Sequence, residues 1–254
     1  IRNCDWSSNV CSSDLMYFMK KITLLFLIAA LSFSFHSSFS QSAFLYQAAF
    51  NGTEYEYGYS SKPRIEITGA PDDIDWNRWS MLHDGGNYRL FFMPIGRSDV
   101  LYQFGYNEST QKYEYGFGST YEIPILKLPA GADITSFSML HDDENYRLYF
   151  TLRKDKSTLL QCGYDDNEGE SGSFVYGYQS MPKIPILNAP SDTDWKRWGM
   201  LHDGSVYRLY FMPEGRSDLL YQFGFDGSSY KYGYSSTKML SIIKMPTGSN
   251  EIGR

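Results

Sequence analysis

The chain has 254 residues, with 23 Lys and Arg against 29 Asp and Glu, for a formal net charge of −6. That balance, without any Lys/Arg cluster, argues against a nucleic-acid partner, which needs a concentrated basic footprint. Aromatics make up 17% of the residues and Gly numbers 22, a mixture that favours many short strands joined by turns.

Residues 1–15, IRNCDWSSNVCSSDL, have no hydrophobic period and no relation to anything downstream. They resemble the translation of a sequencing-library adapter, and residues 251–254 read as the start of another. Both are set aside from fold reasoning, as foreign ends should be. This removes Cys4 and Cys11 and leaves Cys162 alone, so neither an internal disulfide nor a CxxC metal site is expected.

Residues 16–40 then carry a positive pair, Lys20 and Lys21, an apolar run over 22–33, and the small residues Ser38 and Ser40. That is the pattern of a secretory signal peptide cut near Ser40–Gln41. The apolar run is short for a membrane span. The expected location is secreted, periplasmic or cell-surface, with no membrane span after cleavage.

Residues 41–250 form a repeat domain. LYQAAF (45–50) and YEYGY (55–59) come first, followed by a Pro-containing connector, KPRIEITGAPDDIDW (62–76). Then SMLHDG from Ser80, YRLFF (88–92), LYQFGY (101–106) and YEYGF (113–117) make one full unit. The next unit has SMLHDD from Ser138, YRLYF (146–150), LLQCGY (159–164) and VYGY (175–178). The last has GMLHDG from Gly199, YRLYF (207–211), LYQFGF (220–225) and YKYGY (230–234). Ordered self-similarity of this length decides an architecture better than local propensity does.

Each unit of about 58 residues reads as a four-stranded antiparallel meander. Asp-Gly after Met-Leu-His is a strong hairpin signal, because Gly tolerates the positive φ of tight turns. Tandem four-stranded meanders predict an all-β, β-propeller-like fold. A β-trefoil-like fold and an open β solenoid are the alternatives. The domain starts mid-unit and its last connector is interrupted, so it is expected to be truncated. A continuation would supply the two missing strands and close a ring of four or more blades. These residues alone predict an incomplete, open or strained ring.

The candidate ligand-binding residues lie in DWNRW (75–79) and DWKRW (194–198). Indole faces stack on the apolar faces of sugars while Asp and Arg fix hydroxyls, so Asp75, Trp76, Arg78, Asp194, Trp195 and Arg197 suit glycan binding. The alternative wedges the rings between neighbouring blades, with each Arg paired to a nearby Asp. Trp79 and Trp198 align with Phe137 and read as apolar positions, which leaves Trp76 and Trp195 as the better stacking candidates.

His83, His141 and His202 share one repeat position. If they lined a channel they could ligate a metal; the simpler reading is a hairpin histidine bonded to its own turn, with Asp84, Asp142 and Asp203 capping that turn. Gln47, Gln103, Gln161 and Gln222 recur in every third strand and read as structural amides. Cys162 replaces Phe104 and Phe223 and reads as a buried apolar residue. No metal site, cofactor or catalytic residue is assigned: there is no nucleophile elbow, HExxH helix or phosphate-cradling Gly loop.

Pro71, Asp75, Trp76, Pro190, Asp194 and Trp195, in the layout AP-x-D-x-D-W before a short strand, resemble tachylectin-type β-propeller lectins. The resemblance implies one sugar site per blade and a polysaccharide or glycoconjugate partner. The expected function is therefore an exported binding module with multivalent glycan recognition. The alternatives are a structural or protein-interaction propeller, with a protein partner, and a carbohydrate-active hydrolase whose catalytic blade lies outside these residues.

Overall fold

The computed structural model describes residues 26–30, 43–142, 145–169, 172–202 and 206–246, the first of these as backbone alone. Residues 1–15 and 251–254, the Ser40–Gln41 cleavage position and Asp203 lie outside the described residues.

Unit 1 contains β2 (Ala43–Phe50), β3 (Tyr55–Tyr57) and β4 (Arg64–Thr68). From the expected leader, β1 (Phe26–Ala30) lies antiparallel along the free edge of β2. It takes the place that a second strand takes in the other units. Unit 2 contains β5 (Ile74–His83), β6 (Tyr88–Pro94), β7 (Val100–Asn107), β8 (Lys112–Tyr115) and β9 (Glu122–Leu126). Unit 3 repeats this with β10 (Ala132–His141), β11 (Tyr146–Leu152), β12 (Thr158–Asp165), β13 (Ser173–Tyr176) and β14 (Lys183–Leu187). Unit 4 follows with β15 (Thr193–His202), β16 (Tyr207–Pro213), β17 (Leu219–Phe225), β18 (Tyr230–Tyr232) and β19 (Met239–Ile243).

The expected fourth strand is short, and the Pro-containing connector after it, expected only as a link to the next unit, supplies a fifth strand in every unit. In unit 2, β8 pairs with the second half of β7 and β9 with its first half, both antiparallel. The recurring Gln sits where the partner changes. Its N–H donates to one side of the break (Gln103 to the Tyr121 carbonyl, 2.9 Å), and its carbonyl accepts from Gly116 on the other (2.9 Å). Gln47, Gln161 and Gln222 make the same pair of backbone bonds. The break is a tight rim turn with two left-handed residues, Gly177 at φ 74° and Gln179 at φ 43° in unit 3.

The fifth strand continues past its own unit. Ile125 and Leu126 of β9 pair in parallel with Phe174 and Val175 of β13. β4 joins β8, and β14 joins β18, in the same way. β19 then does this with β3, through Ile242 and Tyr55. The rim of a four-unit β-propeller is thus closed. What is missing, among the described residues, is the innermost strand of unit 1. The ring is complete outside and incomplete inside.

The four apolar clusters lie between units, not within them. Ile67 with Phe92 and Tyr113 joins units 1 and 2; Phe91 with Phe150 and Phe174 joins units 2 and 3. Tyr149 with Phe211 and Tyr230 joins units 3 and 4, and Tyr55 with Leu220 and Ile242 joins unit 4 back to unit 1. A buried Leu or Phe stabilises by about 1.5–3 kcal/mol, so each interface needs its neighbour to hold its shape. At the centre, β10 lies against β5 and β15 against β10. Hydroxyls stitch these strands: the Met139 N–H donates to Ser80 Oγ at 2.8 Å and the Met200 N–H to Ser138 Oγ at 2.9 Å.

Candidate functional site

The two DW-x-R-W segments sit at the start of β5 and β15, where a register shift bulges the strand between Ile74 and Trp79 and between Asp194 and Trp198. Arg78 is buried within the bulge. Its Nε donates to Asp75 Oδ2 at 2.7 Å and its Nη1 to the Arg97 carbonyl at 2.8 Å, and Nη2 reaches the Pro94 carbonyl. Arg197 repeats the arrangement on Asp194 (2.7 Å), Arg216 O (2.7 Å) and Pro213 O (2.8 Å). The guanidinium groups proposed for a ligand are therefore committed to the fold. They tie the bulge to the next turn, and buried cationic donors left without such acceptors would be costly.

The indoles are half-buried. Trp76 meets Phe92 edge-on at 5.2 Å and Trp195 meets Phe211 edge-on at 5.0 Å, so each leans on its own unit's core. Trp198 stacks on Phe211 at 6.2 Å, and its Nε1 donates to Ser136 Oγ of unit 3 at 2.8 Å. This is the wedge between blades.

At the far end of the same strands, the histidines pack on the tyrosine that opens the next strand, with ring centroids 4.3 Å apart for His83–Tyr88 and 4.6 Å for His141–Tyr146. His202 does likewise with Tyr207 at 4.5 Å. Capping falls to the neighbouring Asp: Asp84 Oδ1 accepts from the Asn87 N–H at 2.7 Å, and Asp142 Oδ1 from the Asn145 N–H at 2.8 Å. The hairpin reading holds for the turn, and ring stacking on the following tyrosine places the imidazole. Among the described residues no group of three or more His, Cys, Asp or Glu could hold a metal ion. Cys162 is fully buried, and burial pushes its thiol up to about 12.

A cavity of about 390 Å³ opens at this hairpin end between units 3 and 4, within the size range of small-molecule sites. Unit 3 supplies a polar floor of Arg147, Tyr149, Gln161 and Ser180, with Met181 and Ile184 beside it. Unit 4 supplies an aromatic wall of Tyr207, Phe225 and Tyr230. The floor is tightly ordered: Gln161 Nε2 donates to Tyr149 Oη at 3.1 Å, both groups buried, and burial raises the Tyr149 phenol well above its ordinary value. Arg147 Nε donates to Asp142 Oδ2 at 3.3 Å and its Nη1 to the Gln179 carbonyl at 2.8 Å, which pins the rim turn over the site. Gly163 lets that turn come close, since a Cβ there would lie 2.1 Å from the Tyr178 carbonyl oxygen. The buried Ser180 hydroxyl has no hydrogen-bond partner.

Sequence reading placed the sugar at the bulge end and treated the recurring Gln as scaffold. The structure separates the two regions by most of the length of the inner strand and puts Gln161 in the cavity as well as in the strand switch. Asp75, Trp76 and Arg78 do come together, as do Asp194, Trp195 and Arg197. The signal for the cavity was the conjunction of the strand Gln161 with aromatics at 207, 225 and 230 of the next unit, visible only once units are paired.

No protein-family model matches the chain, and no curated protein matches it. Among solved structures, the fucose-specific lectin from Aleuria aurantia is similar at 15% identity and a TM-score of 0.38, over 81% of this chain and 54% of that one. A second structure of Aleuria aurantia lectin, described as a six-bladed β-propeller, is similar at 17% identity and a TM-score of 0.37, over 74% and 55%. The chain thus spans about half the length of these structures (54% and 55%). The four-unit propeller described above follows from the chain's own strand pairing, with β19 on β3 as its last step.

Proposed function

We propose that the protein is an exported glycan-binding module that seats a pyranose in the cavity between units 3 and 4. The observation that carries this is the cavity's division into an aromatic wall from unit 4 and a polar floor from unit 3 that includes Gln161 and Arg147. Tyr207 and Phe225, both half-buried, offer ring surface to the C–H face of a sugar, while Gln161 and Arg147 offer polar groups to its hydroxyls. Arg147 is already paired with Asp142, so the lining favours a neutral sugar over an acidic one. The signal-peptide pattern of residues 16–40 supports export. Trp76 and Trp195 remain as a shallower contact for a longer chain.

A glycan array with the wild-type chain, Gln161→Ala, and the pair Trp76→Ala and Trp195→Ala tests the reading. Binding lost in Gln161→Ala and retained in the Trp variants is the expected result. A blank array, or binding lost only with the Trp variants, contradicts it. A protein partner is the second reading, favoured by the rim rings Tyr59, Phe117 and Tyr234, which share one repeat position and are all exposed. A blank array would leave it standing.

A further inference from the structure

Strand β2 differs from every other third strand in what covers its inner edge. In units 2, 3 and 4 that edge belongs to β6, β11 and β16, in one shared register. Leu90 lies opposite Phe104, Leu148 opposite Cys162 and Leu209 opposite Phe223, and the next residue lies opposite the recurring Gln each time. In unit 1 the leader strand β1 takes the edge in the same register, with Phe26 opposite Ala48 and Leu27 opposite Gln47. Cleavage near Ser40–Gln41 removes β1 and bares a row of main-chain donors and acceptors along β2.

Natural edge strands are blunted by charge, by Pro or by a bulge, so that no foreign strand adds to them. β2, with the sequence AFLYQAAF, has no charged residue and no Pro. Its pairing with β1 runs through five consecutive residues without a shift of register. The edge that processing exposes therefore has none of the usual guards.

The surroundings define what fits there. The place is narrow: β5 of unit 2 lies beside β1, and Tyr210 of unit 4 shares an apolar cluster with Ala48. A second copy would have to bring β3 and β4 in behind its own β2, whereas a lone strand enters freely. The place is also apolar. Leu90, Leu148 and Leu209 each belong to the cluster shared with the preceding unit, and the seam between units 4 and 1 has no counterpart among its described side chains. Ala48 stands where the other units have Phe or Cys, so the residue opposite it must be larger than Leu to fill the same space. The leader itself places Phe26 there.

We infer that the β2 edge of the processed chain is a strand-acceptor site for an extended, uncharged, apolar segment of another polypeptide. The segment adds antiparallel in the register of β1, with a Phe-sized residue opposite Ala48. Main-chain bonds supply the affinity and the residue opposite Ala48 the selectivity. The site rests on leader removal and is independent of the glycan reading.

Isothermal titration of the secreted chain, with leader loss verified by intact mass, tests this using a lysine-flanked Phe-Leu-Ile-Ala-Ala peptide as probe. One peptide per chain is expected, and none on the precursor, where β1 holds the place. Phe26→Leu in the peptide should weaken binding about tenfold, the scale of a missing methylene in an apolar pocket. Ile28→Pro in the peptide should abolish it, because Pro is not accepted inside a paired strand. In the Ala48→Phe chain the preference should pass to the Leu peptide, as in the Leu90–Phe104 pair; should that variant not fold, the peptide series decides alone. No binding, equal binding of the three peptides, equal binding by the precursor, or a preference for Phe in both chains would overturn the site. So would a chain that keeps its leader, or a dimer in native mass spectrometry that the peptide does not dissociate. None of these outcomes alters the glycan array, so the two readings fail separately.

Discussion

Units 3 and 4 build the same bulge with opposite wiring. In unit 4 the cation comes from the bulged strand: Arg197 holds Asp194 and reaches across to the Arg216 and Pro213 carbonyls. In unit 3 that Arg is Ser136, and the cation comes from the turn instead, where Lys156 pairs with Asp133. A second pair changes with it. Tyr221 donates to Asp192 at 2.9 Å in unit 4, whereas unit 3 has Leu160 and Gly131 at those positions. The Asp of the bulge is kept in units 2, 3 and 4, while its partner arrives from either side. What recurs is the need to neutralise a carboxylate at a strand irregularity. The Arg of DW-x-R-W is one solution to that need.

The largest effect should come from removing the cation. In Lys156→Met, Asp133, whose side chain is only 7% exposed, loses its ion pair, at a cost of about 3–5 kcal/mol for a broken buried pair. Arg197→Met should cost less, because the Asp194 side chain is 23% exposed and can recover water. Chemical denaturation of the two variants ranks them, and equal or reversed costs would break the comparison.

A smaller difference is expected at the centre of the ring. Ser138→Ala removes the acceptor of the Met200 N–H, a net loss of about 0.5–1.5 kcal/mol. Gly199 occupies the same position in unit 4, and a Cβ there would meet nothing within 4 Å, so Gly199→Ser should gain no more than the roughly 0.5–1 kcal/mol of backbone entropy that a strand Gly costs. Thermal melts of both variants check this; a Gly199→Ser gain well above that entropic range would mean that a strand already lies against β15.

The smallest effect concerns acid. Burial would raise the Asp84 carboxyl, but hydrogen bonds from Arg89 and from the Asn87 and Gly86 N–H groups outweigh it and hold it below the ordinary carboxylate value. A depressed folded value contributes stability above the unfolded value of about 3.9, lost as pH falls through the folded one. Asp84→Asn should therefore flatten the acid limb of a stability–pH curve relative to wild type. An unchanged limb would show that the hairpin carboxylate is not coupled to folding.

Much of the fold was legible. Met81, Met139 and Met200 set the period, and Asp84 and Asp142 fall in turns as their residue type suggests. The fifth strand, formed within the connector, was not, because a rim turn in which Ser60, Gln179 and Ser235 take positive φ folds it back onto its own unit. Nothing in a Ser or Gln announces a left-handed backbone, which is commoner for Gly and Asn. The rim closure was hidden for a different reason. Ile242 and Tyr55 are far apart in the chain, and a parallel contact of two residues leaves no pattern of its own. The cavity was missed because its wall and floor belong to different units, so each half alone reads as core: Tyr230 as a buried aromatic and Gln161 as a satisfied amide.

The position of the indoles allows a direct test of where the sugar sits. In the described residues Trp76, Trp79, Trp195 and Trp198 all lie at the bulge end, while the cavity lies at the hairpin end with Tyr149, Tyr207 and Tyr230. Emission excited at the red edge of indole absorption, recorded on a Trp6→Phe chain as it is saturated with its best-bound glycan, reports on the bulge end alone. With the sugar seated between units 3 and 4, the indole spectrum should stay unchanged at saturation. A blue shift or quenching that tracks binding, and that disappears in Trp76→Phe with Trp195→Phe, would place the sugar on the connectors and contradict the cavity as its site.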